Sequence, residues 1–253
     1  MSLLDLTPAG TAAPQWRRIV RHGWMELRLT VRNGEQLLLA LVIPVSLLLA
    51  NAALGDRFGP RDGAFPASVI ALGLWSTGFT SLAIMTGFER RYGVLERLAA
   101  TPLRRGDLLA GKSLSISLVA AVQGVILTLV ALATGWAPHP TPLQTVVVAV
   151  AIPLGLICFA SLALVLAGRA SAELTLALSN LVYLVGAAGG VLVPLALYPA
   201  WLQPVLALLP TTALAEILRA WAAGRTDAFG LMILLCWAVG GLVLARRVFR
   251  WTS

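Results

Sequence analysis

Eight consecutive residues, Gly106-Asp107-Leu108-Leu109-Ala110-Gly111-Lys112-Ser113, fit the spacing G-x-x-x-x-G-K-[ST]. In a phosphate-binding loop that spacing works because backbone N–H groups, between a buried strand and a helix N-terminus, cradle phosphate while the lysine reaches it. The flanks here supply neither part. Pro102 and a basic stretch precede the run, with no β-branched strand before it and no second acidic metal-binding strand after it. Lys112, the only lysine, reads instead as a snorkelling residue at the start of an apolar run. No other catalytic set assembles. His22 and His139 stand apart, no Ser-His-Asp set can be chosen without arbitrariness, and no carboxylate pair lies inside an apolar run. Cys158 and Cys236 fall within apolar runs, where free cysteine acts as a small hydrophobe, so neither a disulfide framework nor a metal site is suggested.

Composition defines the elements that must position any chemistry. The 253 residues are 58% hydrophobic and 12% charged, with a mean hydropathy of +0.86. A soluble domain is about 45–50% apolar and about 25% charged; this chain has too little charge to cover its apolar surface in water, and a bilayer resolves the conflict. The net charge of +8 lies between apolar runs rather than on one soluble face, which argues for membrane topology and against nucleic acid. Residues 1–14 hold no apolar core of a cleaved signal peptide. A crossing needs about 20 mostly apolar residues, and six runs qualify: 36–53, 66–88, 113–134, 143–167, 174–194 and 228–245. None carries an ionisable residue in its core. Fifteen basic residues fall on one side of these runs (Arg17, Arg18, Arg21, Arg28, Arg32, Arg90, Arg91, Arg97, Arg104, Arg105, Lys112, Arg169, Arg246, Arg247 and Arg250) and four on the other (Arg57, Arg61, Arg219 and Arg225). The positive-inside rule then makes both termini cytoplasmic. With no internal repeat and no long linker, residues 1–253 read as one membrane domain.

Two segments lie outside the spans. In residues 15–33, Trp16, Ile19, Val20, Trp24, Leu27 and Val31 recur at helical spacing while Arg17, Arg18, Arg21, Arg28 and Arg32 take the other faces, a basic amphipathic helix suited to the headgroup plane. Residues 195–227 are broken by Pro199, Pro204 and Pro210 after Pro194. A stripe of Leu214, Ile217, Leu218 and Trp221 follows, with Thr211 or Thr212 as cap and Gly224 as stop. With Tyr198, Trp201 and Trp221 at interface depth, this segment reads as short re-entrant helices dipping into the outer leaflet before the last span. The expected fold is an all-α polytopic membrane protein with six transmembrane helices.

Proton-coupled transporters keep ionisable groups near the midplane. These spans keep none, so energy must come from a partner. The loop at 89–107 is the place for that partner to act. Tyr92, Leu95 and Leu98 or Ala99 share one face of a short helix, Glu89, Arg90, Glu96 and Arg97 cover the others, and Pro102 stops it. The charges equally fit a solvated loop whose arginines only fix topology.

The run from Glu89 to Lys112, ERRYGVLERLAATPLRRGDLLAGK, resembles the signature after the second span of ABC-2 type permeases, the daunorubicin-resistance type of drug-efflux permease being the nearest group. The likeness extends to the amphipathic helix before span one, Pro44 within it, six spans and the Pro-broken outer segment. Tyr92 and Val94 depart from the smaller or polar residues usual there. The resemblance implies a transport subunit and not an enzyme, in a bacterial plasma membrane. It implies homo- or heterodimers served by two ABC ATPase subunits on separate chains, which carry the ATP and magnesium. Glu89, Arg90, Arg91, Tyr92, Leu95, Glu96, Arg97, Leu98 and Pro102 would then belong to the coupling segment. The helix bearing Trp16, Arg17, Arg18, Arg21, Trp24 and Arg28 would also touch the ATPase. A small amphipathic drug, lipid or secondary metabolite would pass between spans two and five, with Trp75, Thr80, Asn180 and Tyr183 as path candidates and Gly186, Gly189 and Gly190 permitting close approach. A permease for a lipid-linked polysaccharide and a non-transporting structural or regulatory subunit are the alternatives.

Overall fold

A computed structural model describes residues 13–32, 34–55 and 64–249. The leader reading of the N-terminus and the topological charges Arg57, Arg61 and Arg250 rest at least in part on residues outside that set. Among the described residues there is no strand. The helices are α1 (Gln15–Arg32), α2 (Gly34–Leu54), α3 (Ala64–Trp75), α4 (Leu82–Arg91), α5 (Val94–Ala99), α6 (Arg105–Ala133), α7 (Pro142–Ala167), α8 (Ala172–Gly186), α9 (Gln203–Ala207), α10 (Pro210–Ala222) and α11 (Ala228–Val248). A wider π-type turn, Ser76–Ser81, joins α3 to α4, and a second, Ala187–Val191, continues α8.

Among the described residues, five helical runs are long and apolar enough to cross a membrane: Ala64–Arg91, Arg105–Ala133, Pro142–Ala167, Ala172–Val191 and Ala228–Val248. The helix α2 adds a shorter apolar stretch, Ala40–Leu54. The chain is an all-α, multi-pass membrane protein. Local signals start these helices where side chains can take up the free N–H groups. Thr141 and Gln144 form a capping box ahead of Pro142, Ser171 accepts from the Leu174 N–H, and Asp227 accepts from the Gly230 N–H. The predicted cap of α10 differs. Leu209 holds that position with Pro210 after it, and the Thr212 hydroxyl is spent instead on the Gly189 carbonyl, 2.8 Å away.

The second span forms the centre of the bundle. Every residue from Pro66 to Trp75 is buried, and Trp75 stacks on Phe79 at 4.4 Å and meets Phe159 edge-on at 4.8 Å. The other spans turn Val122, Val125, Leu129, Val239 and Val243 outward, as helices bathed in acyl chains do.

Lipid offers no hydrogen bonds, so each break in a spanning helix must be answered from within the protein. Pro44 inside α2 has no N–H to return to the Ala40 carbonyl. Gln123 of α6 supplies it, its Nε2 donating to Ala40 O at 2.9 Å, while its Oε1 accepts from the Thr77 hydroxyl in the π-type turn of span two. One buried amide thus ties spans one, two and three. Replacing Gln123 with Leu is expected to lower stability by about 1–3 kcal/mol, since a buried carbonyl and a hydroxyl lose their partner. Pro44→Ala restores the missing N–H and should recover part of that loss, measured by thermal unfolding in detergent.

Candidate functional site

At the end of the bundle that carries α1 and α5, α1 lies across the start of α6, and the two helices touch at glycines. A side chain at Gly23 would meet the Gly111 carbonyl at 3.0 Å, and one at Gly111 would meet the His22 ring at 2.5 Å. Beside this crossing Lys112 is 1% exposed. Its ammonium sits 3.0 Å from Glu26 Oε2 of α1 and 2.5 Å from Glu89 Oε2 at the end of span two. The expected snorkelling residue is therefore a buried cation held by two carboxylates. Asp107, one turn before it, is fully buried and faces α1 too, taking 2.8 Å and 3.0 Å bonds from Arg18 Nε and Gln15 Nε2. Gly106–Ser113 is continuous helix. Its glycine and lysine serve a helix crossing and an ion cluster, not a phosphate.

Helix α1 therefore has three faces where the sequence suggested two. Trp16, Val20, Trp24 and Val31 are exposed, toward what would be lipid. Arg17 and Arg28 lie over the Trp16 and Trp24 rings at 5.2 Å and 5.4 Å; Arg21 is exposed. His22, Gly23, Glu26 and Thr30 form the third face, packed on the protein. Arg18, expected among the surface charges, is drawn into the Asp107 pair. His22 Nε2 is 3.5 Å from Glu26 Oε1, yet burial holds the imidazole below its ordinary value of 6.5; Glu26 opposes that shift and Lys112 adds to it.

The segment 89–107, expected to couple to a partner, divides in the same way. Span two runs on through Arg91, so Glu89, Arg90 and Arg91 end a long helix rather than begin a loop. Glu89 turns inward to Lys112, a correction to its expected outward role. Arg90 Nη1 donates to the Ala167 carbonyl at 3.0 Å, and Arg91 pairs with Glu173 at the start of α8. After a left-handed turn at Gly93 (φ 67°), α5 rests on Leu95, which is fully buried. What the segment presents outward is Tyr92 (65% exposed), Glu96, Arg97 and Pro102, with Leu98 half-buried.

The four path candidates do not converge on one cavity. Trp75 and Thr80 are buried, Tyr183 is half-buried, and Asn180 lies on the exposed side of α8. The seam between span two and α8 holds polar groups with no hydrogen-bond partner among the described residues: Trp75 Nε1, Thr86 Oγ1, Thr175 Oγ1 and Ser179 Oγ. Trp75 Nε1 is 3.2 Å from where a Gly186 side chain would begin, and Thr175 stands equally close to Gly87. Glu26 and Gln123 went unnoticed in the sequence. The lone acid on an otherwise basic helix, and the lone amide in a span, were the available signals.

An amphipathic helix tied by buried charge to an enclosed span and to the start of α6, in an all-helical apolar bundle, is the arrangement of a multi-pass membrane protein. The chain belongs to the ABC-2 type transporter family, whose sequence profile matches residues 18–221, from within α1 to within α10. It is similar to the "Probable doxorubicin resistance ABC transporter permease protein DrrC" of Mycobacterium tuberculosis, from strain CDC 1551 / Oshkosh and from strain ATCC 25618 / H37Rv. In each case 28% of 222 residues are identical, covering 79% of this chain and 75% of the relative.

Removing one partner of a buried ion cluster leaves uncompensated charge and costs about 3–5 kcal/mol. Lys112→Met is expected to reach that range by thermal unfolding, and adding Glu26→Gln with Glu89→Gln should recover most of the loss. The depressed His22 pKa also sets a pH dependence. The unfolded chain takes up the proton first as pH falls below about 6.5, so the stability carried by neutral His22 is complete above that value and declines below it. Relative to intrinsic exchange rates, the protection of α1 amides should therefore fall between about pH 7.5 and 5.5 in the wild type and change less in His22→Gln.

Proposed function

We propose that the chain is the membrane permease of an ABC exporter for an amphipathic drug-like molecule, driven by a separate ATPase that docks on α5. The observation that carries this reading is α5 itself. It is a short helix with exposed Glu96 and Arg97, preceded by exposed Tyr92, seated by buried Leu95 and flanked by the two halves of a buried ion cluster, Glu89 before it and Lys112 after it. A push on α5 reaches span two through Glu89, span three through Lys112 and the interfacial helix through Glu26, because the three charges cannot separate without stranding one of them out of water. Arg91 and Glu173 extend the linkage to span five. Rigid elements joined in this way convert docking into a rigid-body movement of helices.

The excess of basic residues at the α1–α5 end supports a cytoplasmic location for both termini and for α5. The family supports pairing of two permeases, and the likeness to a doxorubicin resistance permease supports an amphipathic, aromatic cargo. The unpartnered hydroxyls and indole between spans two and five support a path along that seam, since their hydrogen-bonding capacity is met only when water or a polar part of the cargo enters.

The test is reconstitution of the permease with its ATPase in vesicles, following ATP-driven doxorubicin uptake. Glu96→Arg with Arg97→Glu is expected to reduce transport at least tenfold while thermal stability stays within about 0.5 kcal/mol of wild type, as for surface changes in general. Undiminished transport in that variant, or labelling of a cysteine at position 96 by an impermeant reagent added outside intact cells, would overturn the docking assignment.

A further inference from the structure

The end of the bundle opposite α1 and α5 holds a buried arginine that the sequence analysis counted among the outer-loop charges. Arg219 of α10 is 4% exposed. Its guanidinium donates to Ser68 Oγ at 2.7 Å, to Val191 O and Gly190 O at 2.8 Å each, and to Glu216 Oε1 at 2.7 Å. Glu216 Oε1 also accepts from the Leu195 N–H at 2.8 Å. With Thr212 on Gly189, α10 takes up three consecutive carbonyls, 189 to 191.

Those carbonyls are free because span five stops being helical there. Gly189 (φ −92°, ψ 38°) and Gly190 (φ 107°, ψ −2°) leave helical geometry inside the π-type turn. Gly190 lies in the left-handed region open to glycine, and a side chain on it would strike Thr212 Oγ1 at 2.6 Å. A glycine pair of this kind is a hinge, and its bare carbonyls at membrane depth need donors. Arg219 supplies them, and through Ser68 it binds the same hinge to the start of span two.

We propose that Arg219 is the positioning residue of an outward gate: it holds the span-five hinge shut against span two, and the seam opens at this end when the guanidinium releases the hinge. This rests on the reading of that seam as the transport path. Two features make the contact releasable. Glu216 stays beside Arg219 on the same helix, so the cation keeps a counter-ion with or without the hinge. The groups below the latch, Trp75 Nε1 and Ser179 Oγ, lack partners among the described residues in the closed seam and gain them from water when it parts. Parting thus trades the guanidinium's bonds to the hinge and to Ser68 for water on both sides of the seam, the exchange a two-state switch requires.

The test uses the full-length permease in right-side-out membrane vesicles, with Cys236 replaced by Ser and Ser179 by Cys. Native Cys158, fully buried on α7, reports on the fold. An impermeant maleimide is added outside and each cysteine's labelling is read by mass spectrometry. Without nucleotide, position 179 should be silent in the parent, labelled at least tenfold faster in Arg219→Met, and close to the parent in Arg219→Lys, which retains a donor. Cys158 should stay silent throughout. A silent position 179 in Arg219→Met with Cys158 also silent would overturn the gate. Should Arg219→Met expose Cys158 as well, Ser68→Ala decides: it removes only the tie to span two, and position 179 must then label several-fold faster with Cys158 silent, or the proposal fails. Failure of the wild-type complex to transport doxorubicin would count against the proposed function and leave these labelling rates untouched.

Discussion

An ammonium ion sealed from water is stable only where opposite charge surrounds it, and Lys112 meets that condition with two carboxylates from two other helices. Loss of either acid leaves the lysine short of compensation, and loss of the lysine leaves two acids facing each other. The arrangement therefore constrains α1, the end of span two and the start of span three to keep their mutual positions whenever the protein is folded. The Gly23–Gly111 crossing follows from it, since the helices must approach closely for the Glu26 carboxylate to reach Lys112. Arg18 and Asp107 add a second ion pair between α1 and the start of α6. Between these anchored ends hangs α5, and its outward charges are free because the inward ones are taken.

The rest of the bundle obeys a related rule with neutral groups. Two interruptions of apolar helices have polar side chains from other helices set against them. Pro44 is answered by Gln123, and the Gly189–Gly190 break by Thr212 and Arg219. In lipid there is no hydrophobic gain from bringing apolar helices together, so close packing and such hydrogen bonds decide which faces meet. Span two, enclosed along Pro66–Trp75, is the element the others are arranged around. It contacts the ion cluster at one end through Glu89 and the Arg219 latch at the other through Ser68. A helix held by buried charge at both ends is suited to carry a displacement from one end of the bundle to the other.

Much of this architecture was legible in the residues. The apolar helices, the amphipathic helix α1, the Pro-broken segment and the short helix after span two follow from hydropathy, period and proline positions, because a bilayer imposes length and composition on anything that crosses it. Family membership was carried by the run from Glu89 to Lys112. The individual roles within that run were less legible. Glu89 and Glu96 are the same residue type seven positions apart, and nothing in the sequence distinguishes the acid that turns to Lys112 from the one that faces out. Arg219 and Arg225 likewise counted alike as outer charges, though one is buried among carbonyls and the other is exposed.

The sequence by itself determined that the chain lives in a membrane and roughly where it crosses, since those properties depend on local composition and on charge between apolar runs. Only the tertiary structure decided which charges are spent inside the protein. That choice depends on partners far apart in the chain, with Glu26 and Lys112 separated by 86 positions and Ser68 and Arg219 by 151. An ionisable side chain near the end of a span is equally compatible with water, with headgroups or with a buried counter-ion until the fold brings one of them within 3 Å.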